Sequence, residues 1–160
     1  MGARALLPLW SSVAFWLLVS LLVGLLANQL PERWLQTPRR LDGAVPANRQ
    51  PLRRRSAAPL GIRRWKRWIP DAGDALPGGV RKASLVRRDP QALRLLLLET
   101  RRAELVHWTL LGAALLTALW LPPAAVLLNL LFALLFNLPC LLLQRWNRAR
   151  LCRCLQRAGG

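Results

Sequence analysis

From Val106 to Leu143 the chain carries no Asp, Glu, Lys or Arg, and the adjacent prolines Pro122-Pro123 divide that run in two. Proline lacks the N–H that continues a helix, so the pair forces a break between two apolar segments. In lipid each segment must satisfy its own backbone polar groups, which makes it a helix and the whole a tight hairpin. The first segment, Leu105–Leu121, has 17 residues, at the short end of the spanning range, and the second, Ala124–Leu143, has 20. An earlier block, Trp10–Leu30, runs 21 residues without a charge. As a helix it would be about 31 Å long, enough to cross a bilayer.

This patterning predicts an all-α membrane protein: an N-terminal transmembrane helix, a long basic interfacial loop, then a two-helix transmembrane hairpin. Residues 1–30 form the anchor, 31–88 the loop, and 89–160 the hairpin domain with a basic tail. A signal peptide is the alternative for the first block, since Arg4 precedes it. The cleavage pattern is poorly met, because Ala27 at −1 places Leu25 at −3. Retention as an anchor is favoured.

Charge sets the expected orientation and partners. Lys and Arg number 24 against 7 acids, and all but Lys66 and Lys82 are arginine. Such a balance favours membrane lipid with anionic headgroups, an acidic protein or a phosphate-bearing ligand. No nucleic-acid-binding signature accompanies it. Residues 31–104 hold 18 cations and the tail holds 5, leaving Arg4 before the first segment. The positive-inside rule then places loop and tail in the cytoplasm and the Pro122-Pro123 turn outside a bacterial-type cell membrane. Within the loop, Arg49–Ser56 reads as a basic linker, and Ile62–Ile69 interleaves cations with Trp65 and Trp68 as interfacial elements do. Asp89-Pro90 reads as an N-cap and first helical residue. Cys140, Cys152 and Cys154 show no metal or disulfide spacing; the last two are candidates for S-palmitoylation. Nothing in the sequence sets an oligomeric state.

The hairpin brings two polar turns to the cytoplasmic face. Glu99–Trp108 contains the sole histidine, and Thr100, Glu104, His107 and Leu111 share one helical face. In the second segment Asn129, Asn137, Cys140, Gln144 and Asn147 fall within about 80° of one another. Each feature has an inert reading: the first as a solvated interfacial turn anchored by His107 and Trp108, the second as hydrogen-bond glue between helices. Pro139 is expected to kink the helix beside Asn137. No nucleophile elbow, paired glycosidase carboxylates or Gly-rich phosphate loop is present. An enzyme built from these groups would transfer directly: a base takes a proton from an acceptor hydroxyl while amides and guanidiniums hold the oxyanion. His107 is the side chain whose ordinary titration suits that base.

Trp65-Lys66-Arg67, the Glu99-Thr-x-Arg-Ala-Glu104-Leu-x-His107-Trp108 block, Asn137-x-Pro139 and Gln144-Arg-Trp-Asn-Arg-x-Arg150 resemble the glycosyl-4,4'-diaponeurosporenoate acyltransferase family of carotenoid biosynthesis. Leu30–Trp34 is similar to that family's Pro-acidic-basic-aromatic segment, whereas residues 38–60 depart from it. Trp146 stands where the family motif has tyrosine. The resemblance implies transfer of a fatty acyl group onto a glucose hydroxyl of a glycosylated carotenoid or other glycolipid acceptor. It needs no metal or cofactor, with acyl-coenzyme A or acyl-carrier protein as the acyl donor. With the facing argument it makes His107 the general base and Glu104 its orienter. Asn137, Gln144, Arg145, Asn147 and Arg148 become substrate or oxyanion contacts, with Glu99 and Arg102 in the matched block as further substrate-binding residues. The rival from another class is a non-catalytic membrane adaptor, which would depend on Arg53–Arg55 instead of His107 and Asn137.

Overall fold

A computed structural model describes residues 3–36, 61–65 and 90–158, and every regular element among them is helical. Helix α1 spans Ala3–Asn28, α2 Glu32–Leu35, α3 Ile62–Trp65, α4 Pro90–Ala113 and α5 Pro123–Ala158, with a 3₁₀ segment at Ala114–Leu119. The expected all-α class holds, with Leu7–Asn28 and Pro123–Leu155 long and apolar enough to cross a membrane. Arg49–Ser56, Lys66–Ile69, Asp89 and most of the loop lie outside the described residues.

Two stops are written in proline. The last turn of α1 tightens, with Gln29 N–H donating to Leu26 O and Leu30 N–H to Ala27 O, before Pro31 ends it. Pro123 then opens α5, and the Pro122 carbonyl accepts from both Ala125 and Val126 N–H. Pro90 is helical, the first described residue of α4, and the Asp89 cap expected before it lies outside the described residues.

The middle segment departs from expectation. Instead of one α-helix over Leu105–Leu121, the chain winds as α to Ala113 and as 3₁₀ from Ala114 to Leu119. The 3₁₀ rise of about 2.0 Å per residue, against about 1.5 Å, makes this short segment reach about 3 Å further. Thr117 supports the tighter winding by donating its hydroxyl to Ala114 O at 2.7 Å. The tail also differs: α5 runs unbroken through Pro139 and Gln144 to Ala158, so the basic residues continue the helix. Its 36 residues have a helical length of about 54 Å, of which about 30 Å matches a hydrocarbon core.

Helices α4 and α5 pack antiparallel, and α1 lies alongside them parallel to α5. Most buried positions of the hairpin are small or polar, Ala113, Ala114 and Thr117 on one arm and Asn129, Ala133, Asn137 and Gln144 on the other, with Leu110, Leu121 and Leu141 the larger apolar exceptions. Small residues allow the close helix approach that lipid-immersed helices rely on, while exposed leucines cover the outer faces. At the Pro-Pro end Phe15 meets Trp120 at 5.2 Å and Trp16 meets Phe132 at 5.4 Å, ring centre to ring centre. At the opposite end Arg101 donates to Leu35 O at 2.7 Å, satisfying a carbonyl left open at the end of α2.

Asn129 takes the inert reading open to the polar stripe, hydrogen-bond glue between helices. Its Oδ1 accepts from Trp16 Nε1 at 2.7 Å, and its Nδ2 donates to Ser12 Oγ at 3.1 Å and Ala125 O at 2.9 Å. With both its side-chain oxygen and nitrogen engaged, this residue ties α1 to α5. Asn129→Leu is therefore expected to weaken α1 docking by about 1–2 kcal/mol. Thermal unfolding followed by tryptophan fluorescence checks this; an unchanged midpoint would show that the tie contributes nothing.

Candidate active site

The site is assembled where the hairpin arms face each other, between α4 and the middle of α5. His107 Nδ1 lies 2.9 Å from Asn137 Oδ1. Asn137 is 5% exposed, and its Nδ2 donates to Ala133 O at 2.9 Å. A backbone carbonyl only accepts, so it holds the amide with Nδ2 toward Ala133 and Oδ1 toward the imidazole. That oxygen also only accepts, and Nδ1 must therefore carry the proton. In the neutral ring the lone pair then resides on Nε2. A side chain whose own hydrogen bond is set by the helix backbone thus selects the tautomer of a potential base.

Toward the end of the hairpin that holds its charges, Glu104 is clamped by two arginines from α5. Arg145 Nε donates to Oε1 at 2.7 Å, and Arg148 donates to Oε2. The Arg145 guanidinium also lies over the Trp108 ring at 5.7 Å, and Arg150 lies over Trp146 at 5.8 Å. Burial pushes the Glu104 carboxyl up, but the hydrogen bonds and charges of Arg145 and Arg148 outweigh it and hold the pKa below the usual glutamate value.

The expected Glu104–His107 orienting bond is accordingly replaced: Asn137 supplies it, and both Glu104 oxygens serve the arginines. A carboxylate gains more from two charge-assisted bonds than from a neutral ring. Glu99 and Arg102 are brought together as an i,i+3 pair within α4. Arg102 and Glu104 are two residues, about 200°, apart on the helix, so that pair occupies the opposite flank from the clamp. The Arg102 Nε is buried there without a partner. Gln144 is 6% exposed on the inward face of α5, its Oε1 likewise buried and unpartnered. Asn147 is half-buried one turn before the end of the Gln144–Arg150 block.

The His107–Asn137 pairing was legible in one respect that facing alone does not use. His107 precedes Pro122 by 15 residues and Asn137 follows Pro123 by 14, so an antiparallel hairpin sets them level. The Ala133 carbonyl and the Trp108 ring carry no comparable signal, since their roles depend on side-chain direction.

Because the Glu104 pKa is lowered, its clamp contributes stability that is fully present above the ordinary glutamate pKa and lost as pH falls through the depressed value. Arg145 is 54% exposed, so its arm adds little; the Arg148 arm carries most, about 1–2 kcal/mol. Glu104→Gln should lower the unfolding midpoint at neutral pH and flatten its decline in acid. Equal acid sensitivity in variant and parent would contradict the assignment.

These features define a helical hairpin, apolar outside, with a polarised imidazole and an arginine-clamped carboxylate at one end. The sequence profile described as glycosyl-4,4'-diaponeurosporenoate acyltransferase matches residues 31–157, and the chain belongs to that family. Similar proteins carry the same description. One from Staphylococcus haemolyticus is 33% identical over 90 residues, 56% of this chain and 52% of the relative. One from Staphylococcus aureus strain USA300 is 27% identical over 95 residues, 59% and 57% of the two chains. One from the bovine strain RF122 of that species is 23% identical over 142 residues, 89% and 84% of the two. The chain spans about half the length of the first two relatives. No solved structure matches it.

Proposed function

We propose that this protein is a membrane acyltransferase that esterifies a fatty acyl group onto a glucose hydroxyl of a glycosyl carotenoid, a glycosyl-4,4'-diaponeurosporenoate or a close analogue. The observation that carries the reading is the bond from His107 Nδ1 to Asn137, which leaves Nε2 as the basic atom. The acceptor hydroxyl gives its proton to Nε2 as its oxygen attacks the carbonyl of an acyl thioester. The tetrahedral oxyanion collapses, the ester C–O bond stays and the C–S bond breaks. His107 returns the proton to the departing thiolate.

Asn137 uses its N–H₂ on Ala133 and acts through the imidazole as a positioning residue. Arg145 and Arg148 each give Glu104 one of their five N–H donors and keep others for the oxyanion or a donor phosphate. Asn147 and the amide nitrogen of Gln144 add neutral donors. The acceptor's long apolar body lies in lipid along α4 and α5, and its sugar reaches the polar turns. The cationic loop and tail receive the anionic acyl donor, acyl-coenzyme A or an acyl-carrier protein.

Purified protein in lipid vesicles, given a glucosylated carotenoid and labelled acyl donor, should form an O-acyl ester; no ester with either donor would refute the reading. Reporter fusions after residues 60 and 122 test the orientation, with a cytoplasmic signal expected only at 60. A cytoplasmic signal at 122 would overturn it.

A further inference from the structure

We infer that Gln144 reads a second hydroxyl of the acceptor, making it the residue that selects a polyol headgroup over a simple alcohol. This rests on the reading of the hairpin end as an acyl-acceptor site. Gln144 is 6% exposed, and its Oε1 is buried without a hydrogen-bond partner. Buried polar atoms are almost always paired, and leaving one unpaired is costly, so an exception marks a group held ready for something else. Asn129 and Asn137, on the same inward stripe, each have both the side-chain oxygen and the nitrogen hydrogen-bonded, which sets Gln144 apart from glue.

The missing partner's chemistry is constrained. An amide oxygen accepts and does not donate, so the partner must bring an O–H or N–H. A thioester carbonyl and an ionised carboxylate bring neither, which points to the acceptor and away from the acyl chain's reacting end. Placement agrees. Gln144 follows Asn137 by seven residues, two turns or about 10 Å along α5. Side chains lean toward the N-terminus of their own helix. In antiparallel arms this tilts His107 toward the level of Gln144 and Gln144 toward the level of His107. One hydroxyl at His107 Nε2 and another at Gln144 Oε1 would fix both the identity and the orientation of a sugar.

The test uses the full chain in phosphatidylcholine vesicles with a fatty-alkyl glucoside and the fatty alcohol of equal chain length. Binding is read from the shift in unfolding midpoint. The parent should prefer the glucoside by about ten- to hundred-fold. Gln144→Met should bring that ratio near one, with an unliganded midpoint equal to or above the parent's, because it removes an orphan acceptor. A retained preference overturns the inference. So does a lowered midpoint without ligand, which would show that the protein itself already satisfies Oε1. Acyl transfer is not read here, so the two proposals separate. Glucoside preference that depends on Gln144 in a chain unable to form the ester would refute the reaction and leave the recognition role standing. Ester formation with the preference intact in Gln144→Met would do the reverse.

Discussion

His107→Ala should lower acyl transfer by about 10²–10⁴-fold, the usual contribution of a general base. The loss belongs in kcat, because proton removal develops in the transition state while acceptor binding draws on other groups. Alanine also strands Asn137 Oδ1, a cost of about 1–3 kcal/mol that would confuse stability with catalysis. His107→Gln separates them: its amide N–H can still donate to Asn137, yet it offers no basic nitrogen. Transfer should be lost equally in both variants, with a smaller midpoint change in glutamine. Retention of full transfer in either would remove His107 from the chemistry.

The next largest effect is expected at Asn137. Asn137→Leu deletes the acceptor that holds the proton on Nδ1, so the ring divides between tautomers and rotates more freely. The expected loss is about 10–100-fold in kcat with little change in acceptor KM, the range seen when a group that orients a functional histidine is removed. Asn137→Asp keeps an oxygen facing Nδ1–H and should retain more activity than leucine, although it forfeits the bond to Ala133 O. A merely structural asparagine would give the opposite ranking, since a buried carboxylate disrupts packing more than leucine does. The kcat ranking of the two variants therefore distinguishes positioning from packing.

Much of this arrangement is legible in the residues because it follows from strong, non-specific forces. Charge-free runs mark the apolar helices, proline marks their ends, and nearly equal distances from Pro122-Pro123 align His107 with Asn137. The polar stripe on α5 does face inward, as the cost of polar groups in hydrocarbon requires. What escaped is decided by competition between neighbours. Glu104 lies one turn from His107, but guanidiniums 41 and 44 residues away take both of its oxygens. Helical spacing gives proximity along one helix and says nothing of what the opposite helix presents. The 3₁₀ winding of Ala114–Leu119 was equally hidden, since its apolar pattern reads the same in either helix type. Asn129 and Asn137 look alike as letters; only the facing partners, Trp16 and Ser12 for one and His107 for the other, make one a tie and the other part of a site.

Asn137 holds the imidazole with its proton on Nδ1 and, in the neutral ring, its lone pair on Nε2. His107 is the only histidine, so a chain purified without a histidine tag and labelled with ¹⁵N-histidine yields the two nitrogens of one ring. In lipid vesicles, at a pH where the ring is neutral, the spectrum should show a one-bond N–H coupling on Nδ1 and none on Nε2. Asn137→Leu should show a mixture of the two forms. A proton resident on Nε2 in the parent, or a tautomer unchanged by Asn137→Leu, would show that Asn137 does not set the ring's tautomer.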